Sequence, residues 1–125
     1  MKIYIAHPTN IDYENEIYRP LRSDSFFYEH ELILPHEKSN EIINSRNDYK
    51  NIDIVIAECS EPSIGVGIEL GWFYDEEKPI CCFYKANMKP SGAIVAVAKE
   101  IIEYSDSNNL VYRIKNIIEK QNIHK

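Results

Sequence analysis

The sequence predicts a single α/β domain of 125 residues with a five-stranded, mostly parallel sheet flanked by helices. Short apolar runs alternate with helix-like segments along the chain, which is typical of a parallel sheet with crossover helices. Residues 52–59 are apolar almost throughout, as in a strand that is covered on both faces. No linker, repeat or low-complexity segment divides the chain, and its length suits one hydrophobic core.

The first half of the chain supplies two predicted strands. The first apolar run ends at His7-Pro8, because proline stops the strand pattern. Asp12 is placed to cap a helix, and Pro20 is expected to break or kink that helix. The predicted elements are a strand at 1–6, a helix from about residue 13, a strand at 30–34 and a short helix or loop at 40–50.

The second half supplies three further strands and three helices. Apolar residues of the last helix recur at i, i+1, i+4, i+7 and i+8 from Leu110, which places them on one face. The elements are a strand at 52–59, a helix from 62 or 63 to about 76, strands at 79–84 and 101–104, a short helix at 91–98 and a last helix from 106 or 107. Together they predict a Rossmann-like or flavodoxin-like three-layer sandwich, whose ligands bind after the first and third strands.

Composition narrows the range of partners and compartments. The net charge of −6 argues against a nucleic-acid polymer as the ligand, but helix N-termini still permit a single nucleotide. No signal peptide or membrane span is predicted. The three cysteines lack CxxC spacing, so no disulfide is predicted. We therefore expect a cytoplasmic protein with reduced thiols. No metal or other cofactor is predicted, because no cluster of ligand residues has metal-site spacing.

The turn after the third predicted strand is a candidate anion site. Ser63 is placed to cap the following helix, and Gly65 and Gly67 would let a ligand approach the backbone closely. Free N–H groups and the helix dipole favour an anion at this end of the helix. A purely structural explanation, a capped helix whose glycines permit tight packing, is equally compatible with the pattern.

Glu69 is the one carboxylate within the least polar part of that helix. Three explanations compete: a surface residue, a structural carboxylate bonded to nearby backbone, or a catalytic carboxylate directed at the strand ends. An isolated buried carboxylate is costly unless a partner or a reaction requires it. The role of Glu69 is therefore the main functional question that the sequence poses.

Three segments carry a resemblance to a known family. They are MKIYIA at the start, DIVIAECSEPSIGVGIELG in the centre and KPICCFYK after it. Residues 1–125 thereby resemble one domain of the nucleoside 2-deoxyribosyltransferase superfamily, and the 2'-deoxynucleoside 5'-monophosphate N-glycosidase branch above all. The central block is the specific part of the resemblance, whereas the first strand alone would be a weak signal.

The resemblance implies cleavage or exchange of the bond between a nucleobase and deoxyribose. The glutamate of the ELG motif, here Glu69, would be the nucleophile that forms a glycosyl-enzyme ester. Tyr4 matches a family tyrosine near that nucleophile. Ser63, with the backbone of Gly65 and Gly67, would bind the 5'-phosphate or 5'-hydroxyl of a nucleotide or nucleoside.

The resemblance also implies a homodimer or higher homo-oligomer. Ser91 is similar to a residue that a neighbouring subunit lends to the site. We therefore expect a pocket formed by one chain and closed by Ser91 of the other. Its residues would be Tyr4, His7, Ser63, Gly65, Gly67, Glu69 and Ser91.

The chain departs from the family pattern in two places. The usual second carboxylate is replaced by Ser45, which cannot act as an acid or base at ordinary pH. Asp48 and His36 are the candidate substitutes, together with Glu37 beside His36. The second departure is His7, which either narrows the pocket or supplies a contact of its own.

Two arginines and three function classes complete the sequence-based hypotheses. Arg19 is a predicted phosphate partner, with Arg22 as a second candidate. The first function class is an enzyme that acts on the N-glycosidic bond of a 2'-deoxynucleoside or its 5'-monophosphate. The alternatives are a catalytically inactive nucleotide-binding or sensing module of the same fold, which Ser45 favours, and an enzyme for another nucleotide-like metabolite.

Overall fold

The computed structural model of the protein describes residues 1–37 and 50–123. Asp48, Ser45 and nearly all of the polar segment at 40–50 lie outside the described residues. The strands are β1 (Lys2–Ala6), β2 (Glu31–Ile33), β3 (Ile54–Glu58), β4 (Ile80–Lys85) and β5 (Glu100–Tyr104). The helices are α1 (Arg19–Arg22), α2 (Ile64–Asp75), α3 (Gly92–Val97) and α4 (Ser107–Ile123), with a π-helical turn at Glu14–Tyr18 and a 3-10 helix at Ser25–Glu29.

The five strands form one sheet in the order β2-β1-β3-β4-β5, and every neighbouring pair is parallel. Tyr4 in the middle of β1 pairs with Ile33 on one side and with Val55 on the other. The chain winds outward from β1 to β2 and then returns to the far side of β1 as β3. The carboxyl ends of β1 and β3 therefore form the switch point at which α/β sheets bind ligands.

Each face of the sheet is covered by its own hydrophobic cluster, which gives the three layers. Ile3, Ile5 and Ile54 face the π-helical turn, α1 and α4. Tyr4 and Val55 point to the opposite face, where α2 packs. Successive strand residues alternate between the two faces, so the continuously apolar strands predicted from the sequence are explained by burial on both sides. The predicted α/β three-layer fold is confirmed.

The first helical segment differs in detail from its prediction. The helical turn that follows Asp12 is π-helical, and Pro20 then lies within the first turn of α1. The missing N–H of a proline costs least in the first turn of a helix, so Pro20 continues the helical path there. Along the described residues, no helix has the length and apolar character needed to cross a membrane.

Candidate functional site

Ser63 caps α2 at the carboxyl edge of the sheet. Its backbone is extended, and its Oγ accepts a hydrogen bond from the N–H of Val66 at 3.2 Å. A Cβ added at Gly65 would meet only Ser63 Oγ, at 4.0 Å, and one added at Gly67 would meet nothing within 4 Å. Among the residues that the structure describes, close packing against other parts of the protein therefore does not require a glycine at either position.

A groove of about 350 Å³ opens beside this helix start. Ser63 and Gly67 line one wall, and Lys89 and Ser91 of the same chain line the other. Ser91 caps the short α3, because its Oγ accepts from the N–H of Ile94 at 3.4 Å. Three of the residues predicted from the sequence, Ser63, Gly67 and Ser91, thus line one groove within a single chain, together with Lys89.

Glu69 lies on α2 with its carboxylate held by Tyr4. The Tyr4 hydroxyl donates a hydrogen bond to Glu69 Oε2. Glu69 is half-buried, and this burial raises the pKa of its carboxyl group, while the hydrogen bond from Tyr4 opposes the rise. A fully exposed surface position is therefore excluded for Glu69, and both the structural and the catalytic explanation remain compatible with its bond to Tyr4.

Tyr4 is fixed by the sheet and by α2. Its side chain is 1% exposed, and its ring centroid lies 5.1 Å from that of Phe73 on α2. The backbone of Tyr4 is held on both sides by β2 and β3. Because the Tyr4 side chain is held in place by these contacts, its hydroxyl orients the Glu69 carboxylate.

His7 lies where β1 ends and is buried in a network of its own. Its Nδ1 is 2.9 Å from the carbonyl oxygen of Pro8, which can only accept, so the proton lies on Nδ1. Its Nε2 then accepts from the Tyr18 hydroxyl at 2.6 Å. Burial lowers the pKa of His7, and the nearby His36 lowers it further. His7 is therefore a neutral imidazole whose two nitrogens are both occupied.

His36 joins this network from the end of β2. Its backbone N–H donates to the Tyr18 hydroxyl at 3.1 Å, and its ring centroid lies 5.5 Å from that of His7. Tyr13 stacks on His7 with ring centroids 4.5 Å apart. These four aromatic residues form a wall at the carboxyl ends of β1 and β2, which we call the aromatic wall: His7, Tyr13, Tyr18 and His36.

Glu69 lies close enough to Tyr18 of the aromatic wall to affect the titration of its hydroxyl. Burial raises the pKa of Tyr18 far above its ordinary value, and Glu69 is among the neighbouring groups that contribute to the rise. Such a contribution requires the Glu69 carboxylate to lie near the Tyr18 hydroxyl. Glu69 is therefore bonded to Tyr4 and electrostatically coupled to Tyr18.

The two arginines lie away from the Ser63 groove. Arg19 is exposed and lines a separate hollow with Tyr18. Arg22 forms two hydrogen bonds to Glu37, of 2.8 and 2.7 Å, so this arginine is already paired with a carboxylate. A phosphate on Ser63 would have Lys89 as the cation on the same groove.

Sequence reasoning passed over Lys89, Tyr13, Tyr18 and Glu58. The contacts of Tyr13 and Tyr18 with His7 could not be predicted, because they depend on how the segment between β1 and β2 folds back over the sheet. Glu58 is 4% exposed and lies at the end of β3, within the block that carries the resemblance. A carboxylate at the end of an otherwise apolar strand was the available signal for it. Within residues 1–37 and 50–123, no group of three or more His, Cys, Asp or Glu could hold a metal ion.

Comparison with known proteins finds similarity at the level of the fold. No family model matches the chain, and no curated protein matches it. Solved structures do match. A conserved protein from Enterococcus faecalis V583 is 18% identical with a TM-score of 0.70, over 93% of this chain and 98% of its own.

Two matching structures have a stated activity. The Clostridium botulinum CMP N-glycosidase BcmB is 18% identical with a TM-score of 0.63, over 91% of this chain and 98% of its own. A 2-deoxyribosyltransferase from Bacillus psychrosaccharolyticus is 20% identical with a TM-score of 0.60, over 89% of this chain and 90% of its own. At these identities the similarity establishes a shared fold, which is the fold implied by the resemblance in sequence.

Proposed function

We propose that this protein is an enzyme of the nucleoside 2-deoxyribosyltransferase superfamily. It cleaves or exchanges the N-glycosidic bond of a 2'-deoxynucleoside or its 5'-monophosphate. The observation that carries the proposal is the Glu69 carboxylate, half-buried at the switch point and bonded to the Tyr4 hydroxyl. The shared fold with an N-glycosidase and a deoxyribosyltransferase supports the same reaction class.

Glu69 acts as the nucleophile in this proposal. Its ionised carboxylate attacks C1' of the sugar, the bond from C1' to the base nitrogen breaks, and the bonding electrons leave with the base. A glycosyl ester on Glu69 results. Water then releases the free sugar in a hydrolase, or a second base takes the sugar in a transferase. Tyr4 holds the attacking oxygen in place and favours its ionised form.

The departing base requires a proton. His36 lies at the end of β2 beside the aromatic wall and is one candidate for the donor; Asp48 is the other candidate in place of Ser45. His7 is unsuited to this task, because both of its ring nitrogens are already in hydrogen bonds. We assign it to the shape of the pocket instead.

The 5' end of the substrate is assigned to the Ser63 groove. The Ser63 hydroxyl and the backbone N–H of Gly65 provide donors for a phosphate or hydroxyl, whereas Gly67, whose N–H already donates to the Ser63 carbonyl oxygen, contributes space for the ligand. Lys89 on the opposite wall adds a positive charge. Arg19 is the sequence-derived alternative, but it lines a different hollow.

A homodimer is part of the proposal. Large apolar side chains on α2 and α3 are exposed, with Ile64 85%, Ile68 51% and Val95 46% accessible. Of these three residues, Ile64 lines the Ser63 groove, as does Ser91. A second copy packed on this surface would cover the apolar side chains and bring its own Ser91 towards the groove of the first. The expected location is the cytoplasm.

The second candidate is a nucleotide-binding module without turnover. Ser45 favours it, because the family's second carboxylate is missing there. The two candidates differ in one measurement: incubation with the common 2'-deoxynucleosides and their 5'-monophosphates, followed by chromatography for free base.

The enzyme proposal predicts base release that is lost in Glu69→Gln by at least about 10³-fold, because the nucleophile is removed. The matched control is Glu119→Gln on the exposed face of α4, which should retain activity. Addition of an acceptor base separates exchange from hydrolysis. Ligand binding without base release would favour the binding module, and an active Glu69→Gln protein would exclude Glu69 as the nucleophile.

A further inference from the structure

Glu58 is a buried carboxylate that the proposed reaction does not use. It is the last residue of β3, it is 4% exposed, and three donors converge on it. The backbone N–H of Ser60 donates to its Oε1 at 2.5 Å, and the Ser60 hydroxyl to its Oε2 at 3.2 Å. The hydroxyl of Tyr104 also donates to Oε2. Burial of a carboxylate is unfavourable unless hydrogen bonds compensate for the lost hydration, and Glu58 has three such bonds.

The bonds of Glu58 join the carboxyl ends of three strands. Tyr104 is the last residue of β5, two strands away from β3. The Ser60 hydroxyl that donates to Glu58 also accepts from the N–H of Lys85, the last residue of β4, at 2.7 Å. The N–H of Cys59 donates to the Phe83 carbonyl oxygen of β4 at 2.8 Å. We call the group formed by Glu58, Ser60, Lys85 and Tyr104 the strand-end network.

The strand-end network lies at the root of the loop that carries Ser63. Only Glu61 and Pro62 separate Ser60 from Ser63, and both are exposed. The loop is therefore anchored to the sheet at Ser60 and enters α2 three residues later. Glu69 has its own anchor in Tyr4, so a change in the loop affects the start of α2 more than it affects Glu69.

We propose that Glu58 is a positioning residue that fixes Ser63 and the start of α2 through Ser60. The structural part of this inference concerns the loop alone. Its consequence for substrate binding rests on the proposed function, in which Ser63 contacts the 5' end of the substrate.

Glu58→Gln is the informative variant, because it preserves the volume of the side chain. The new NH₂ group cannot accept hydrogen bonds, so at least one of the three donors loses its acceptor, whichever way the amide is oriented. The matched control is Glu103→Gln, the same change at an exposed residue beside Tyr104. Tyr104→Phe removes a single donor and keeps the ring, so it remains usable if Glu58→Gln fails to fold.

Amide hydrogen exchange tests the structural part without any substrate. The N–H of Ser60 reports its bond to Glu58, and the N–H of Val66 reports its bond to Ser63. Glu58→Gln should speed the exchange of both by about tenfold relative to Ile5 in β1, and Tyr104→Phe should speed that of Ser60 by less. Equal acceleration at Ile5, or no acceleration beyond that in Glu103→Gln, would overturn the inference.

Kinetics tests the consequence, with the four common 2'-deoxynucleoside 5'-monophosphates as probes. A misplaced Ser63 should raise KM by about tenfold while kcat changes by less than about threefold. A Glu58→Gln enzyme with unchanged KM, or with kcat reduced as strongly as KM is raised, would contradict a role in positioning Ser63. If the wild-type protein cleaves none of the probes, the proposed function fails, while hydrogen exchange still decides the role of Glu58.

Discussion

Tyr4→Phe removes the hydroxyl that bonds Glu69 and leaves the ring against Phe73. Tyr4 is 1% exposed and Glu69 is half-buried, so water replaces the lost donor less readily than it would at the surface. A hydrogen bond to a charged group is worth about 1.5–3 kcal/mol. At ~1.4 kcal/mol for each factor of ten, loss of this bond should lower kcat/KM by about 10- to 150-fold near neutral pH.

The direction of the pH dependence follows from the same bond. Burial raises the pKa of Glu69, and the Tyr4 bond opposes that rise by stabilising the ionised form. Without the hydroxyl the pKa of Glu69 rises further, so at mildly acidic pH a smaller fraction of the protein carries the ionised carboxylate that we propose as the nucleophile. The acidic limb of the kcat/KM profile should therefore move to higher pH in the variant.

The assay is release of free base between about pH 4.5 and 8.5, for wild type, Tyr4→Phe and the control Tyr112→Phe. Tyr112 is 60% exposed on α4, so its hydroxyl should not matter. Acidic limbs that coincide in wild type and Tyr4→Phe, or a loss below about threefold, would refute the role assigned to the Tyr4–Glu69 bond.

Two further predictions follow from the same structure. Because burial raises the folded-state pKa of Glu69 above that of the unfolded chain, stability is lost as pH rises from about 4.5 through the folded pKa. Glu69→Gln should therefore have a higher Tm than wild type at pH 7, and the difference in Tm should be smaller at pH 4. Each ~1 kcal/mol of added stability should raise the Tm by about 3–5 °C. A difference in Tm that does not change with pH would contradict this prediction. Ile68→Asp, on the exposed apolar face of α2, should convert the proposed dimer to a monomer in light scattering, whereas Tyr112→Asp should not. A wild-type protein that is monomeric at all concentrations would exclude the dimer.

The order of elements could be predicted because each strand is a short apolar run and each helix follows a cap or a proline. The parallel sheet follows from that alternation alone. Strand ends were less predictable: β3 extends over Ile54–Glu58, and apolar Ile52 lies outside it, although it is buried. An apolar pattern in the sequence indicates which residues are buried. Because residues just outside a strand can also be buried, the pattern does not locate the last hydrogen bond between strands.

The site was predictable only in part. The position of Glu69 and its link to Tyr4 followed from the resemblance, and the structure brings the two side chains together. Whether Gly65 and Gly67 serve packing or an open backbone could not be decided from the sequence, because the answer depends on what surrounds each Cβ position. The hydrogen bonds of His7 depend on Tyr18, which reaches it only through the π-helical turn.

The measurement that tests the central claim most directly is peptide mass spectrometry of enzyme quenched in acid during turnover of a 2'-deoxynucleoside 5'-monophosphate. The account predicts a deoxyribosyl phosphate attached to Glu69 in the wild-type protein and none in Glu69→Gln. Continued base release by Glu69→Gln, or a sugar found on a different side chain, would contradict it.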